Sequence, residues 1–186
     1  VDVTNYVTVE LGQPSHAYAL AQLGGGVMQV RRARAGESLE LLTEERIELD
    51  PADLVIATPG ADGSSVAIGL AGVMGGSTHS VSDATTDVAL EVAHFDPVTV
   101  RRAAQRHQLI TDARTRFERG VDPNLPELAS ARAVALIAEV AGGRVDPGVS
   151  LVGARVERPE IAFRPSRVRF LMDFEVARPD QRRYLE

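Results

Sequence analysis

The chain changes character at Asp96-Pro97, and that change limits its fold more than any other feature. Before it, apolar residues come in short runs broken by Gly and Pro: Val3 to Leu11, Val27 to Arg34, Ser38 to Leu42, Arg46 to Leu49, Leu54 to Thr58, Val66 to Gly72 and Asp87 to Phe95. Runs of that length and punctuation predict strands. Leu39-Glu40-Leu41 and Ile47-Glu48-Leu49, joined around Thr43-Glu44-Glu45, read as a hairpin with one wet face. From the break onward, Asp96 as N-cap with Pro97 at the first helical position predicts a helix to about His107. A second start at Asp122-Pro123 opens a helix through Ala133, Leu136, Ile137 and Val140 to a Gly142-Gly143 stop. Strands followed by helices predict an α+β fold, a β-rich layered domain with helices packed on the sheets. At 186 residues, 44% of them hydrophobic, the chain suits one such domain or one plus a fragment.

A short extended stretch, Val149 to Val156, precedes a second compositional shift at Arg158-Pro159, and Ile161-Ala162-Phe163-Arg164-Pro165-Ser166 leads into a small helix at Arg167 to Met172. We expect one domain over residues 1–152, then a linker and the truncated start of a following domain over 153–186. The chain begins without Met in what reads as a strand and ends, at Arg182 to Glu186, in what reads as a helix. It is expected to be a piece of a longer protein.

Two missing residue types remove whole classes of chemistry. With no Cys, disulfides, cysteine nucleophiles, thiolate zinc sites and iron–sulfur clusters are excluded. All 20 positive side chains are Arg, so Schiff bases, a pyridoxal-phosphate anchor and a P-loop lysine are excluded too. No apolar run reaches the ~20 residues of a membrane span, and Val1 to Tyr6 lacks the basic end and apolar core of a signal peptide. The expected location is the cytoplasm, with no membrane partner.

Charge is unevenly spread. Residues 1–100 hold 4 Arg against 14 acids, net −10, whereas residues 101–186 hold 16 Arg against 12, net +4. The densest stretch carries Arg101, Arg102, Arg106, Arg114, Arg116 and Arg119 against Asp112 and Glu118. Guanidinium groups suit phosphate oxygens, so nucleic acid is one candidate partner for this stretch and a solvated Arg-rich helix face is the other reading.

The usual catalytic signatures are missing. There is no Gly-x-Ser-x-Gly elbow, Gly63-Ser64-Ser65 reads as a turn, and His16, His79, His94 and His107 lack metal-ligand spacing. Gly24-Gly25-Gly26 and Gly75-Gly76 lack the phosphate-cradling pattern. Four segments still stand out. Leu11 to Ala17 breaks the first strand and delivers His16 on a Pro-fixed turn; Gly69 to Gly76 leaves backbone bare for close approach. Val88 to Ala93 places Glu91 in a strongly apolar strand, and Leu109 to Arg114 is followed by Arg116 to Pro123. Each segment also has a plain reading: Glu91 on a wet face, His16 as a satisfied turn histidine, Thr111 as the cap of the helix at Arg114.

Taken together, these segments resemble the beta subunit of bacterial phenylalanyl-tRNA synthetase, in its B3/B4 module, over residues 1 to about 152. The family's V-T-N-Y-V stands here as Val3 to Val7, E-L-G-Q-P-x-H-A as Glu10 to Ala17, and A-G-V-M-G-G as Ala71 to Gly76. Its L-E-x-A-x-F-D-P stands as Leu90 to Pro97, R-R-x-x-x-R-H-x-L-x-T-D-A as Arg101 to Ala113, and R-F-E-R-G-V-D-P as Arg116 to Pro123. The Ile161 to Glu186 tail resembles the start of the family's next domain.

The resemblance implies an editing module that hydrolyses tyrosine wrongly esterified to tRNA(Phe). The ester itself would be made in an alpha subunit, within an alpha2-beta2 heterotetramer using ATP and Mg2+, and this stretch would need no cofactor or metal. Editing answers a physical limit, since an apolar pocket rejects an isostere with one added hydroxyl by only roughly 10²-fold. By resemblance the pocket maps onto His16, Gly72, Glu91, Thr111 and Ala113. Glu91 would accept the tyrosine phenol; His16 would serve the ester end, contacting the terminal adenosine or orienting a water, which Thr111 would also help to hold. Arg101, Arg102 and Arg106 are the expected, weak RNA contacts. Four residues depart from the family pattern: Ser15 for an apolar residue, Tyr18-Ala19 for Phe-Asp and His94 for an aromatic. The competing reading is a non-catalytic tRNA-binding or subunit-scaffolding module of the same synthetase.

Overall fold

The computed structural model describes residues 1–153, 156–157 and 160–186. The chain divides into two compact units, Val1–Gly153 and Ala154–Glu186. The first is an α+β arrangement of antiparallel sheets and helices.

The first element corrects the expected strand: Asp2–Leu11 is helix α1. Its Val and Thr content reads as β, but Val3, Val7 and Leu11 recur every four residues and all join one small core. Val7 is fully buried there against Ala129 and Ala133, and burial of a helical stripe outweighs a propensity difference of under ~1 kcal/mol per residue. Gly12 ends α1 in the left-handed region at φ 74°, its N–H donating to Thr8 O at 3.0 Å. His16 therefore lies on a strand and not on a turn: Ser15–Ala19 is β1.

Five expected strands lie close to their predicted places as β2 (Gln29–Arg32), β3 (Ser38–Glu40), β4 (Arg46–Glu48), β5 (Leu54–Pro59) and β6 (Ser65–Leu70). Met74–Gly75 adds the short β7, and a sixth expected strand, over Asp87 to Phe95, is β8 (Val88–Val92). The strands make a four-stranded antiparallel sheet in the order β2-β5-β6-β7, the β3-β4 hairpin, and the β1-β8 pair. In the hairpin Leu39 faces Ile47 and both are buried, while Glu40 and Glu48 are exposed, which gives the wet face.

Helix α2 (Pro97–Arg106) starts as predicted, with Asp96 Oδ2 accepting from Thr99 N at 2.8 Å. Thr111 caps α3 (Asp112–Phe117), accepting from Arg114 N at 3.0 Å. The last helix of this unit, α4 (Pro126–Ala141), begins three residues after the expected start, because Asp122 accepts backbone bonds from Asn124 and Leu125 and closes a turn instead. Gly142 caps it at φ 64°.

The main core sits between the sheets and the α2-α3 pair, with Tyr18, Leu41, Val55, Ile68, Leu70 and Val100 each under 3% exposed. Phe95 and Phe117 meet edge to face at 5.2 Å between centroids. The C-terminal end of α2 is pinned by Asp53, which is fully buried and accepts from Arg106, from His107 Nε2 at 2.7 Å and from Asp50 N at 2.9 Å.

The second unit carries α5 (Ser166–Met172) and α6 (Arg178–Leu185), at the two places where its sequence reads as helical. Its Phe163, Phe170, Leu171 and Tyr184 are exposed. The compositional shift at Arg158-Pro159 lies outside the described residues, as do two residues of the stretch from Val149 to Val156. Among the described residues, no helix is long and apolar enough to cross a membrane.

Candidate functional site

The β1-β8 ladder brings His16 and Glu91 together. They are direct partners in the antiparallel register, about 4.5–5.5 Å apart at Cα, with side chains on one face. The two-residue period of β1 adds Tyr18 to that face. Its hydroxyl donates to Glu91 Oε2 at 3.0 Å, and its ring meets the His16 ring edge to face at 4.5 Å between centroids.

Opposite this face, β6 and β7 are joined by a turn that leaves backbone bare. Gly72 sits at φ 70°, and a Cβ there would lie 2.9 Å from atoms of both Phe95 and Val100, so conformation and space both require Gly. The first turn of α3 supplies Thr111 and Ala113. Between them lies a cleft of about 240 Å³, open to the surface and lined by His16, Gly72, Glu91, Thr111 and Ala113 among others. All five residues that the sequence assigns to the pocket thus face one space.

The same geometry sets the electrostatics. Glu91 is half-buried by surface because the cavity reaches it, yet protein packs closely enough around the carboxylate to push its pKa up to about 7. Desolvation is the main cause, offset in part by the Tyr18 hydrogen bond, which favours the ionised form. Burial also lowers the His16 pKa, which favours the neutral imidazole. His16 Nε2 is buried with no hydrogen-bond partner among the described residues, as is Ser15 Oγ on the same strand. Thr111 Oγ1 is already engaged: it donates its one proton to Val73 O at 2.8 Å and accepts from Arg114 N. One lone pair remains, so Thr111 can hold a water only as an acceptor.

The arginine stretch lies outside the cavity lining. Arg101 and Arg102 are exposed on α2, Arg101 donating to Glu118 O at 3.4 Å. Arg106 instead pairs with buried Asp53 and lies 3.7 Å from Asp50. Arg114 is committed to Glu118 Oε2 at 3.0 Å and Leu109 O at 2.8 Å. His94 is exposed and does not line the cavity. Among the described residues, no three His, Asp or Glu side chains converge to hold a metal ion.

The sequence singles out Gly69 to Gly76 as bare backbone and Tyr18 as a departure from the family pattern, but assigns none of Tyr18, Gly69 and Gly75 to the pocket. The signal for Tyr18 is its place two residues after His16, hidden because Leu11 to Ala17 reads as a strand break with a turn.

The sequence matches the family described as B3/4 domain over residues 1–142. It is 48% identical over 160 residues to the phenylalanine–tRNA ligase beta subunit of Nocardia farcinica, covering 86% of this chain and 18% of that protein. Against the beta subunit of Leifsonia xyli subsp. xyli identity is 49% over 146 residues, 78% of this chain and 16% of the relative. That of Thiobacillus denitrificans is 46% identical over 176 residues, 95% of this chain and 22% of the relative. The chain spans about a fifth of the length of these curated relatives.

Proposed function

The chain belongs to the B3/4 domain family, and from that premise we propose that its cavity hydrolyses tyrosyl esters of tRNA(Phe), as the editing site of a phenylalanine–tRNA ligase beta subunit. The observation that carries this reading is the half-buried Glu91 carboxylate facing the cavity directly across a ladder from His16. A tyrosine phenol entering the cavity donates its O–H to Glu91. Phenylalanine offers no donor and leaves one oxygen of a desolvated carboxylate, Oε1, without a partner, at a cost of roughly 1–3 kcal/mol. The site therefore selects for the hydroxyl that an apolar aminoacylation pocket rejects poorly.

Hydrolysis needs a water placed against the ester carbonyl. Water oxygen adds to the carbonyl carbon, the tetrahedral adduct collapses, the carbon–oxygen bond to the terminal ribose breaks, and the ribose oxygen takes up a proton from the attacking water. Tyrosine and uncharged tRNA leave. Neutral His16, its Nε2 unpaired, orients that water or the terminal adenosine, and Thr111 offers its remaining lone pair. Gly72 and Ala113 keep the wall low enough for the aminoacyl group. The alpha subunit is the proposed partner, making the ester with ATP and Mg2+, and tRNA(Phe) is the shared substrate.

The test is release of tyrosine from tyrosyl-tRNA(Phe) by the full beta chain assembled with its alpha subunit. Glu91→Ala and His16→Ala are expected to abolish release while phenylalanyl-tRNA synthesis continues. Wild-type release from the double variant would end this reading.

A further inference from the structure

Glu91 does not face the cavity alone. Its Oε2 is taken by the Tyr18 hydroxyl at 3.0 Å, whereas Oε1 has no hydrogen-bond partner among the described residues. Tyr18 is 1% exposed, its ring lies against His16, and its hydroxyl reaches Glu91 over Gly69, where a Cβ would stand 3.0 Å from Tyr18 Oη. Two strands and a bare backbone thus converge on one hydrogen bond.

We propose that Tyr18, which stands where the family pattern has Phe, is a positioning residue for selectivity particular to this chain: by holding Oε2 it fixes the Glu91 carboxylate so that Oε1 remains to accept the substrate phenol. This rests on the tyrosyl-ester reading of the cavity and adds to it the second member of the selecting pair. A carboxylate offers about four lone-pair directions on its two oxygens, so one phenol from the chain and one from a ligand are accepted together. An unheld carboxylate in the same cavity rotates about its last bond, a broad and shallow torsion, and meets the ligand in fewer of its orientations.

The hydrogen bond also bears on protonation, since a donor to the carboxylate favours its charged form against the desolvation that opposes it. His16, Tyr18 and Glu91 are the titratable side chains that line the cavity, while β6, β7 and α3 present Gly69, Met74, Thr111 and Ala113. Loss of the Tyr18 hydroxyl is therefore felt at Glu91 without compensation from another charge in the lining.

The experiment compares hydrolysis of tyrosyl-tRNA(Phe) and phenylalanyl-tRNA(Phe) by the assembled enzyme from pH 5.5 to 8.5, in wild type, Tyr18→Phe, Gly69→Ala, the double variant and Glu91→Gln. Tyr18→Phe is expected to lower the tyrosyl-to-phenylalanyl ratio roughly tenfold at pH 7, mainly through a higher KM for the tyrosyl ester. It is also expected to move the midpoint of that ratio upward by about one pH unit. Gly69→Ala crowds the same hydroxyl and is expected to act in the same direction. Added to Tyr18→Phe it removes nothing further, because the atom it displaces is gone. Should Tyr18→Phe fail to fold, the Gly69→Ala profile carries the test. A wild-type ratio and midpoint in Tyr18→Phe, with selectivity lost in Glu91→Gln, overturns the role of Tyr18 and leaves the editing reading standing. A higher ratio in Tyr18→Phe shows that the phenol blocks the site and overturns it equally. Unchanged tyrosyl-ester hydrolysis in Glu91→Gln as well brings down both.

Discussion

Gly75 lends its bare Cα to the ring of His16: a Cβ built on it would stand 2.5 Å from both Cε1 and Nε2 of the imidazole. No rotamer of a packed core absorbs an overlap of that size, so a methyl group at Gly75 pushes His16 out of its place on β1. Gly75→Ala is expected to cut tyrosyl-ester hydrolysis by 10²-fold or so, because displacing a positioning group by about 1 Å has that effect. Selectivity between the two esters is expected to survive, since the atoms nearest that methyl all belong to His16 and none to Glu91. Kinetics of the assembled variant on both esters checks this, and normal rates would show that His16 does not serve the ester end.

On the proposed reading, Glu91 is expected to make selectivity depend on pH. With its pKa pushed up to about 7, the carboxylate is largely protonated at pH 6 and ionised at pH 8, where it accepts a phenol best. The tyrosyl-to-phenylalanyl ratio of the wild-type enzyme is expected to rise several-fold across that interval, and Glu91→Gln is expected to give a flat profile. The ratio cancels the ordinary base-catalysed loss of both esters. A pH-independent ratio in wild type would remove Glu91 as the titrating group.

The same raised pKa costs stability. Between its ordinary value of 4.5 and about 7, the folded state holds the Glu91 proton more tightly than the unfolded state. The stabilisation is present in full below 4.5 and disappears as pH rises through 7. Glu91→Gln removes this dependence. Its melting temperature is expected to match wild type near pH 4.5 and to exceed it at pH 8, by an amount equivalent to at most about 3 kcal/mol. Paired melts at the two pH values decide it, and a Gln variant less stable at pH 8 would contradict it.

These predictions rest on residues that differed in how readily the sequence disclosed them. Asp96 and Thr111 were legible because capping is local: each side chain accepts from an N–H three residues ahead. The β3-β4 hairpin was legible for a similar reason, since its alternation and its turn lie within twelve residues. Helix α1 was not, because the partner that makes Val7 a core residue is α4, over a hundred residues away. The composition of the pocket followed from ordered motifs, yet the pairing of His16 with Glu91 depends on a ladder joining residues 75 apart. Tyr18 was missed with it, since only that ladder turns the two-residue period into a contact.

Asp53 offers a control distant from this chemistry. It is fully buried and accepts from Arg106 and His107, so Asp53→Ala leaves two cationic or polar donors facing a cavity without an acceptor. Arg106 keeps a third of its side chain in water, so the loss falls mainly on buried His107 and the emptied site, about 1–3 kcal/mol. Urea unfolding is expected to show a loss of that order, while selectivity of whatever enzyme remains assembled is unchanged. A loss below about 1 kcal/mol would mean that α2 is held by its apolar face alone.

The arginines divide by the same geometry. Arg101 and Arg102 are exposed, whereas Arg106 is spent on Asp53. With a net charge of −6 and few free cations on α2, the 186-residue chain by itself is expected to bind tRNA weakly and to deacylate slowly. The remainder of the synthetase would then carry the tRNA to the pocket. Arg101→Ala with Arg102→Ala is expected to weaken tRNA binding across sequences and to reduce the slope of log affinity against log salt by about one for each phosphate left without its guanidinium. Arg106→Ala is expected to register first as reduced stability. Titrations of labelled tRNA at several salt concentrations separate these effects. Submicromolar affinity at physiological salt that survives removal of Arg101 and Arg102 would place the RNA-facing surface on another part of the chain.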